Sequence, residues 1–519
     1  MVRFPLSSFV GLRMNTRQSL GTAATAALAV LAGCRHQTGM PEGVVPVREG
    51  VISMGMEGIR PIQVWLTTGD QTKLLAREPN VGLMYNVHFA TRIPVIAVDP
   101  DKSYQQVIGF GAAMTDASAY LLNRMSASDR EALLQDLFGG DNGIGLSFMR
   151  VPMGASDFSM RHYSYDDVPA SQTDSTLDHF SIETDRAVKL PLIRRALAIN
   201  PRLKLMASPW SVPGWMKSTN SLIAGTLLPR FYDSFSDYFV KFIGAYEAEG
   251  VPIYAISLQN EPNYEPADYP GMRLDAGARA RVIGDHLGPR FARAGIHTLI
   301  WDWDHNWDLP QQPLDVLADT NARKYVQGVA WHCYAGDVSA QSTVHDMYPD
   351  KDAYFSECSG GEWSPKFADN LKWFVQTLII GATRNWARGV LLWNLALNEN
   401  YGPHLGGCGN CRGVVTINSV TGKYTRNVEY YVLAHASKFV HPGAHRLASS
   451  SDSTLASVAF RNDDGTKVVI VLNAGKAETL FGLRWGPAFT SSSEPGSLPR
   501  NEAFAYTLPA GSVATFVWK

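Results

Sequence analysis

The chain has 519 residues, 45% of them hydrophobic and 18% charged, with a formal net charge of −2. That is the balance of an ordinary globular protein, long enough for one domain of about 250 residues or more plus a smaller one. No run of Lys and Arg tracks a nucleic-acid backbone, so nucleic acid is not expected as a partner.

Arg3, Arg13 and Arg17 precede an uncharged, Ala-rich run over residues 21–32. This is the layout of a secretory signal and is too short for a permanent membrane span. The run ends Leu31-Ala32-Gly33-Cys34, which resembles the processing box of bacterial lipoproteins and implies Cys34 as a lipidated mature N-terminus. A plain signal peptide cut after a small residue is the alternative. Either reading expects export; the first expects a periplasmic or outer-membrane-anchored lipoprotein that meets the membrane only through its lipid. Residues 1–34 thus read as leader, and 35–56 as a polar tether without periodicity. Within 57–95, alternation around Trp65 turns at Gly69-Asp70, which reads as a hairpin.

After Pro94 the pattern changes. Apolar strand candidates at 107–114, 144–151, 203–208, 253–258, 297–303, 327–334, 353–356 and 389–395 alternate with helical stretches, among them 127–138, 185–199, 232–249, 276–294 and 367–386. Eight alternations predict an α/β fold, a (β/α)8 TIM barrel over 96–440, closed by a helix at 429–439. A doubly wound open sheet is the alternative. Residues 441–519 turn to short alternating strands set off by Gly, Asn and Asp, an appended all-β sandwich that the partnerless N-terminal hairpin is expected to complete.

Export would place the cysteines in a compartment that permits disulfides. Cys408 and Cys411 have the spacing of a redox pair, half a zinc site or a tight disulfide. Zinc needs two further ligands and no second such pair exists. A thioredoxin-type pair opens a helix, whereas this one lies in a Gly-rich loop, so a disulfide is the reading. Cys333 and Cys358 read as buried neighbours of site residues.

Two strand candidates end on a carboxyl. Residues 254–262 run apolar into Asn260, Glu261 and Pro262, and 353–361 reaches Glu357 before breaking into Ser and Gly. A single Glu there would be no more than a solvated strand end. Two facing each other across a cleft are what glycoside hydrolysis requires, one to protonate the leaving oxygen and one to attack or to activate water. In a barrel of this kind the site lies at the C-terminal strand ends, where Asp116, Arg150, Trp210, His332, Tyr334, Trp393 and Asn394 also fall. Competing motifs fail. Asp302, Asp304, Asn306 and Asp308 mimic the start of a calcium loop, but Trp307 stands where Gly is needed and Pro313 where Glu is needed. Gly109 and Gly111 lack a third Gly at Met114, which removes dinucleotide binding. Neither a metal nor a cofactor is expected.

From about Val107 to Leu447 the chain resembles glycoside hydrolase family 30, and within it the glucosylceramidase branch. The stretches that carry the likeness are GFGAAMTDASA, MRVPMGASDFSMRHYSY, LMASPWSVPGWMK, SLQNEPNYEP, GVAWHCYAGD, FSECSGG, LLWNLALNENYGP and LAHASKFVHPGAHR. The resemblance implies Glu261 as general acid/base and Glu357 as nucleophile. It further implies that Asp116, Trp210 and Trp393 hold the nonreducing sugar, that Asn260 meets its 2-hydroxyl, and that Tyr334 supports the nucleophile with His332 beside them. Arg150 is expected to keep Glu357 charged, while burial and that charge raise Glu261. Two loops, 398–414 and the Trp- and Asp-rich stretch after the fifth strand, depart from the glucosylceramidase pattern on the leaving-group side. The expectation is therefore a retaining exo-β-glucosidase of glucosylceramidase type acting on a β-linked glucoside or glucan. An endo-β-1,6-glucanase or related β-glycanase of the same family is the alternative, and an inactive glycan-binding lipoprotein a third reading. Oligomeric state is not legible.

Overall fold

Parallel strands covered on both faces read as continuous apolar runs, and eight such runs form the centre of the computed structural model, which describes residues 61–85, 87, 89–486 and 501–519. The expected leader, the tether and Cys34 lie outside those residues. The strands are Gly109–Ala113, Phe148–Met153, Lys204–Pro209, Ala255–Ser257, Leu299–Asn306, Val326–His332, Asp352–Glu357 and Ala387–Asn394. Pairing passes along them in chain order, and the eighth closes on the first, so the sheet is a parallel barrel rather than an open doubly wound sheet.

One apolar side chain from each strand or its edge fills the barrel floor: Ile108, Phe148, Met206, Ala255, Trp301, Ala330, Tyr354 and Leu391. Trp301 and Tyr354 stack there with centroids 3.7 Å apart, and truncating either to Ala would cost about 3–5 kcal/mol. Strand side chains alternate faces, so the layer above this floor is set by counting two residues onward. It consists of Arg150, Ser208, Ser257, His332, Ser356 and Trp393. The first and fifth strands break the count: in the first, Phe110 turns to the outer core, and the fifth is bulged. Its ladder slips between the pairs Ala330–Trp303 and Trp331–His305, and Trp303 and Asp304 take left-handed φ values of 74° and 56°. This bulge carries Trp303 into the outer core and delivers Asp304, not Trp303, to the polar layer.

The helix Ala127–Phe138 starts where Ser126 accepts from the Asp129 N–H and stops at Gly139. Stretch 185–199 is two helices, Glu183–Val188 and Leu190–Ile199, the second opening with Pro191 in its first turn. Stretch 276–294 is α-helical over Ala276–Arg281, π-helical over Val282–Leu287 and α-helical again over Gly288–Ala294. The short helices Gln311–Ala318 and Ala340–Met347 were not read from the sequence.

The β domain is one hydrogen-bonded sheet of ten strands among the described residues. Its Pro61–Thr67 strand pairs with both Ala76–Gly82 and Val513–Trp518, so the N-terminal hairpin completes the C-terminal sheet. The sheet folds over itself. Phe504 and Phe516 lie on strands six places apart in the order, yet their rings meet at 4.9 Å, and Trp485 meets Trp518 at 5.2 Å. The expected barrel boundary at residue 96 is corrected: strand Val95–Gln106 belongs to the sandwich, pairing with His445–Ser449, and the barrel begins at Val107.

Candidate active site

Asp304 organises the polar layer. Its Oδ2 accepts from Arg150 Nη2 at 2.7 Å, Ser208 Oγ at 2.9 Å and Ser257 Oγ at 2.5 Å. Its Oδ1 accepts from Ser356 Oγ at 2.6 Å and faces His332 Nε2 at 3.0 Å. Five partners from five strands satisfy a fully buried carboxylate, as its burial demands. The Arg150 charge and these donors outweigh desolvation and hold Asp304 far below the usual carboxylate range.

Arg150, also fully buried, carries that charge outward. It donates through Nη1 to Glu357 Oε2 and through Nη2 to Asn260 Oδ1 at 2.8 Å. The Tyr334 hydroxyl donates to Glu357 Oε1 at 2.9 Å. Across from Glu357, His332 Nδ1 lies 3.1 Å from Glu261 Oε1, and His305 Nε2 lies 3.8 Å from the same atom. Carboxylate oxygens of Glu261 and Glu357 and a His332 nitrogen all fall within 4.8 Å of one another. That is closer than the gap of about 6.5–9.5 Å through which an inverting pair admits a water. Glu261 adopts a left-handed backbone with φ 47° and donates its N–H to the Asp304 carbonyl at 3.0 Å. A non-glycine residue in that region costs about 1–3 kcal/mol, which the surrounding network must offset.

The charges differ from the expectation. Burial alone would lower His332, but the charge of Glu357 and its contacts with Asp304 and Glu261 raise it to about 9, so it is a cation at neutral pH. Burial raises Glu261, yet the His332 hydrogen bond and the charges of His305, His332 and Arg150 outweigh it and leave Glu261 lowered. Burial raises Glu357; His332 and Arg150 oppose this, the Glu261 charge adds to it, and the net direction is upward. Sequence reasoning had the two directions reversed, because it did not count a cationic His332 beside Glu261. The two glutamates act on each other and titrate as a pair.

Other expected residues distribute unevenly. Trp210 and Trp393 stack on each other at 4.9 Å, and Arg150 lies over both rings at 4.8 and 5.5 Å. They wall the site rather than offering open faces. Arg150 takes the carbonyl oxygen of Asn260, which leaves the amide nitrogen as the end available to a ligand. Asp116 Oδ1 is held by Lys189 at 3.0 Å and Tyr163 at 3.3 Å, beside the buried Asp185. Asp157, which the sequence pattern did not single out, lies close enough to the pair to feel both charges. Burial first, then the charges of Glu357 and Glu261, raise it well above the carboxylate range, and its buried Oδ1 has no hydrogen bond. Loop residue Gly407 packs so closely on it that a Cβ there would lie 2.5 Å from the Asp157 Cβ. The available signal was a lone Asp four residues past a barrel strand. Asp304 carried a clearer one, an acid inside an apolar strand.

Cys408 and Cys411 are bonded, with Cα atoms 5.6 Å apart, and tie the loop beside Trp210 and Trp393. Cys333 and Cys358, read as mere neighbours, are also bonded. Glu261, His332 and Glu357 have the spacing of metal ligands. Both His332 nitrogens are engaged by carboxylates, Nδ1 with Glu261 and Nε2 with Asp304.

The family description "Glycosyl hydrolase family 30 TIM-barrel domain" matches residues 107–440, and "Glycosyl hydrolase family 30 beta sandwich domain" matches 443–516. An endo-1,6-β-D-glucanase of Trichoderma harzianum is 36% identical over 441 residues, covering 79% of this chain and 86% of the relative. The lysosomal acid glucosylceramidase of Mus musculus is 30% identical over 464 residues, covering 82% and 83%. A solved endo-β1,6-glucanase superposes with TM-score 0.78 at 31% identity, covering 88% of this chain and 99% of the other.

Proposed function

Since this chain belongs to glycosyl hydrolase family 30, and is thus a glycoside hydrolase acting on a β-glycan, we propose that it is a retaining endo-β-1,6-glucanase. The observation that carries the retaining mechanism is the close approach of the Glu261 and Glu357 carboxylates. The choice of glucan rests on the relatives: the endo-1,6-β-D-glucanases stand at 36–38% identity and the glucosylceramidases at 30–32%. It is supported by the departure of the two leaving-group loops from the glucosylceramidase pattern. Half-exposed Tyr264 and Trp363, on the loops after Glu261 and Glu357, also suit a substrate that runs beyond a single sugar. The glucosylceramidase reading, first from the sequence, thereby becomes the second.

In this reading Glu357 attacks the anomeric carbon while Glu261 protonates the departing 6-oxygen, and water then hydrolyses the glycosyl-enzyme with Glu261 as base. The developing positive charge at the anomeric carbon favours Glu357 ionised, and the glycosidic oxygen can accept only from a protonated Glu261. Catalysis in this reading thus requires the proton on Glu261 and the charge on Glu357. The Tyr334 hydroxyl, desolvated at the inner end of a ring that is otherwise half exposed and raised further by both glutamate charges, stays a hydrogen-bond donor to the nucleophile. Asn260 and Asp157 are the proposed polar ligands of the sugar, between the indole walls. Export and a lipid on Cys34 remain part of the proposal, supported by the leader pattern and by two disulfides suited to an oxidising compartment.

Product analysis tests the reading. β-1,6-Glucan should give a ladder of gluco-oligosaccharides from the first minutes. Glucose as the sole early product, or turnover of glucosylceramide with the glucan untouched, would move the protein to the exo-acting branch.

A further inference from the structure

The sixth and seventh barrel strands carry most of the machinery around the nucleophile, and their ladder is irregular where it matters. Trp331 pairs with Phe355, but the next pair is His332 with Glu357, Ser356 being passed over. Glu357 is the last residue of its strand and His332 the last of its own. Beyond that pair no ladder remains between the two strands, and the next residues are Cys333 and Cys358, joined with Cα atoms 5.4 Å apart.

Each cysteine is covalently adjacent to a group of the site. Cys333 lies between His332, which meets Glu261 at 3.1 Å, and Tyr334, which donates to Glu357 at 2.9 Å. Cys358 follows Glu357, and its carbonyl accepts the Trp393 N–H at 2.8 Å, which fixes the eighth strand to the same point. Tyr334 is 45% exposed. Apart from its hydroxyl, it is held by a backbone N–H to Asn306 Oδ1 at 3.0 Å, an edge contact with the His332 ring at 6.1 Å and the neighbouring half-cystine. A partly solvated ring holding a hydrogen bond to a nucleophile needs its backbone fixed, because a displacement of about 1 Å at a reacting group can cost about 100-fold in rate.

We propose that the Cys333–Cys358 disulfide is a positioning element for catalysis: it replaces the missing ladder between the sixth and seventh strands and holds Tyr334 and His332 in register with Glu357. Its loss lowers the rate at which Glu357 attacks, through Tyr334, without emptying the sugar site. Forming the bond removes two electrons and two protons from the thiols, and the disulfide of a thiol–disulfide exchange partner in an oxidising compartment accepts them and leaves as a dithiol. The inference rests on the reading of Glu357 as nucleophile.

The test uses the rate of covalent trapping by 2-deoxy-2-fluoro-β-glucosyl fluoride, followed by mass spectrometry of the labelled peptide, in four proteins. These are the wild type, Tyr334→Phe, the double variant Cys333→Ala/Cys358→Ala and the triple variant. The expected result is label on Glu357 in the wild type and trapping about 10- to 100-fold slower in the double variant, with a near-unchanged reagent dissociation constant. Tyr334→Phe should then add little in the background that lacks the disulfide, because both changes break the same contact. Trapping as fast as wild type, or effects of Tyr334→Phe that multiply fully with loss of the disulfide, would overturn the proposal. A wild type labelled elsewhere or not at all would instead overturn the reading of Glu357. Should the double variant fail to fold, dithiothreitol treatment of the wild type decides. Trapping lost before near-UV ellipticity supports positioning, and trapping lost only together with ellipticity overturns it.

Discussion

At the scale of single residues, the two carboxyl-bearing strand ends were legible because a Glu closing an apolar run contradicts its neighbours. The partners of those glutamates were less so. Asp116 and Asp157 both follow barrel strands, and nothing in a linear pattern tells which carboxylate meets a lysine 73 residues onward (Lys189). Asp304 was dismissed with a calcium loop, because its role depends on a bulge that sequence periodicity does not show. The assignment of Asp157 to the sugar site has a sharp consequence. Asp157→Ala should lower kcat/KM on aryl glucosides and on glucan alike by about 10- to 100-fold, the loss of one or two buried hydrogen bonds to a hydroxyl, while the unfolding midpoint barely moves. Asp116→Asn should do the opposite. It strips a buried lysine of one of its two carboxylates, which costs about 3–5 kcal/mol of stability, with kcat/KM kept within about threefold where the variant is folded. Urea titrations beside initial rates check both, and a catalytic loss in Asp116→Asn without destabilisation would return Asp116 to the sugar site.

Elements were legible in proportion to their burial. All eight barrel strands stood out as apolar runs, whereas Gln311–Ala318 and Ala340–Met347 each span eight residues, little more than two turns and shorter than the window in which a helical period shows. The strand Val95–Gln106 was cut at the wrong place because it runs almost directly into the first barrel strand, although it is only partly buried where that strand is buried throughout. The glycines of the first barrel strand, once weighed as a nucleotide signature, are explained by packing between elements. A Cβ on Gly111 would lie 1.8 Å from the Phe148 carbonyl oxygen, so the first and second strands approach as only glycine allows. Gly111→Ala should therefore unseat the strand that carries Phe148 and, two residues on, Arg150. The expected cost exceeds about 4 kcal/mol, the range reserved for core disruption. Gly140→Ala, with nothing within 4 Å of its Cβ, should stay within about 0.5 kcal/mol of wild type. Denaturant midpoints of the two variants measure this directly, and a folded, active Gly111→Ala would show that the barrel can spread at this seam.

At the scale of the whole molecule, the sequence announced that the N-terminal hairpin needs the C-terminal sheet, since a two-stranded ribbon is not stable alone. It did not announce what fastens that sheet to the barrel. His435 does, from the helix Val428–Ser437 that closes the barrel. Its Nδ1 meets Thr515 Oγ1 on the last strand and its Nε2 meets Thr67 Oγ1 on the N-terminal hairpin, both at 2.8 Å. Thr515 spends its hydroxyl proton on the His435 carbonyl at 3.0 Å, so its oxygen accepts from Nδ1–H, and Nε2 is left to accept from Thr67. The imidazole is thus neutral and fully satisfied, and burial depresses its pKa from 6.5 to about 3. The sign follows. Above pH 6.5 neither folded nor unfolded chain binds this proton, and its contribution to stability is complete. As pH falls below 6.5 the unfolded chain takes the proton while the folded one refuses it. Stability is then lost at ~1.4 kcal/mol per pH unit until the folded pKa near 3 is reached. His435→Gln loses part of the hydrogen bonding, about 1–3 kcal/mol at pH 7.5, but has no proton to gain. Other titrating groups act on both proteins alike, so the gap between wild type and variant isolates His435. It should close by ~2 kcal/mol between pH 6.5 and 5, as read from urea unfolding at each pH. Parallel stability curves for the two proteins over that range would mean that His435 is charged in the fold, and that the tie between barrel and sandwich is an imidazolium rather than a neutral ring.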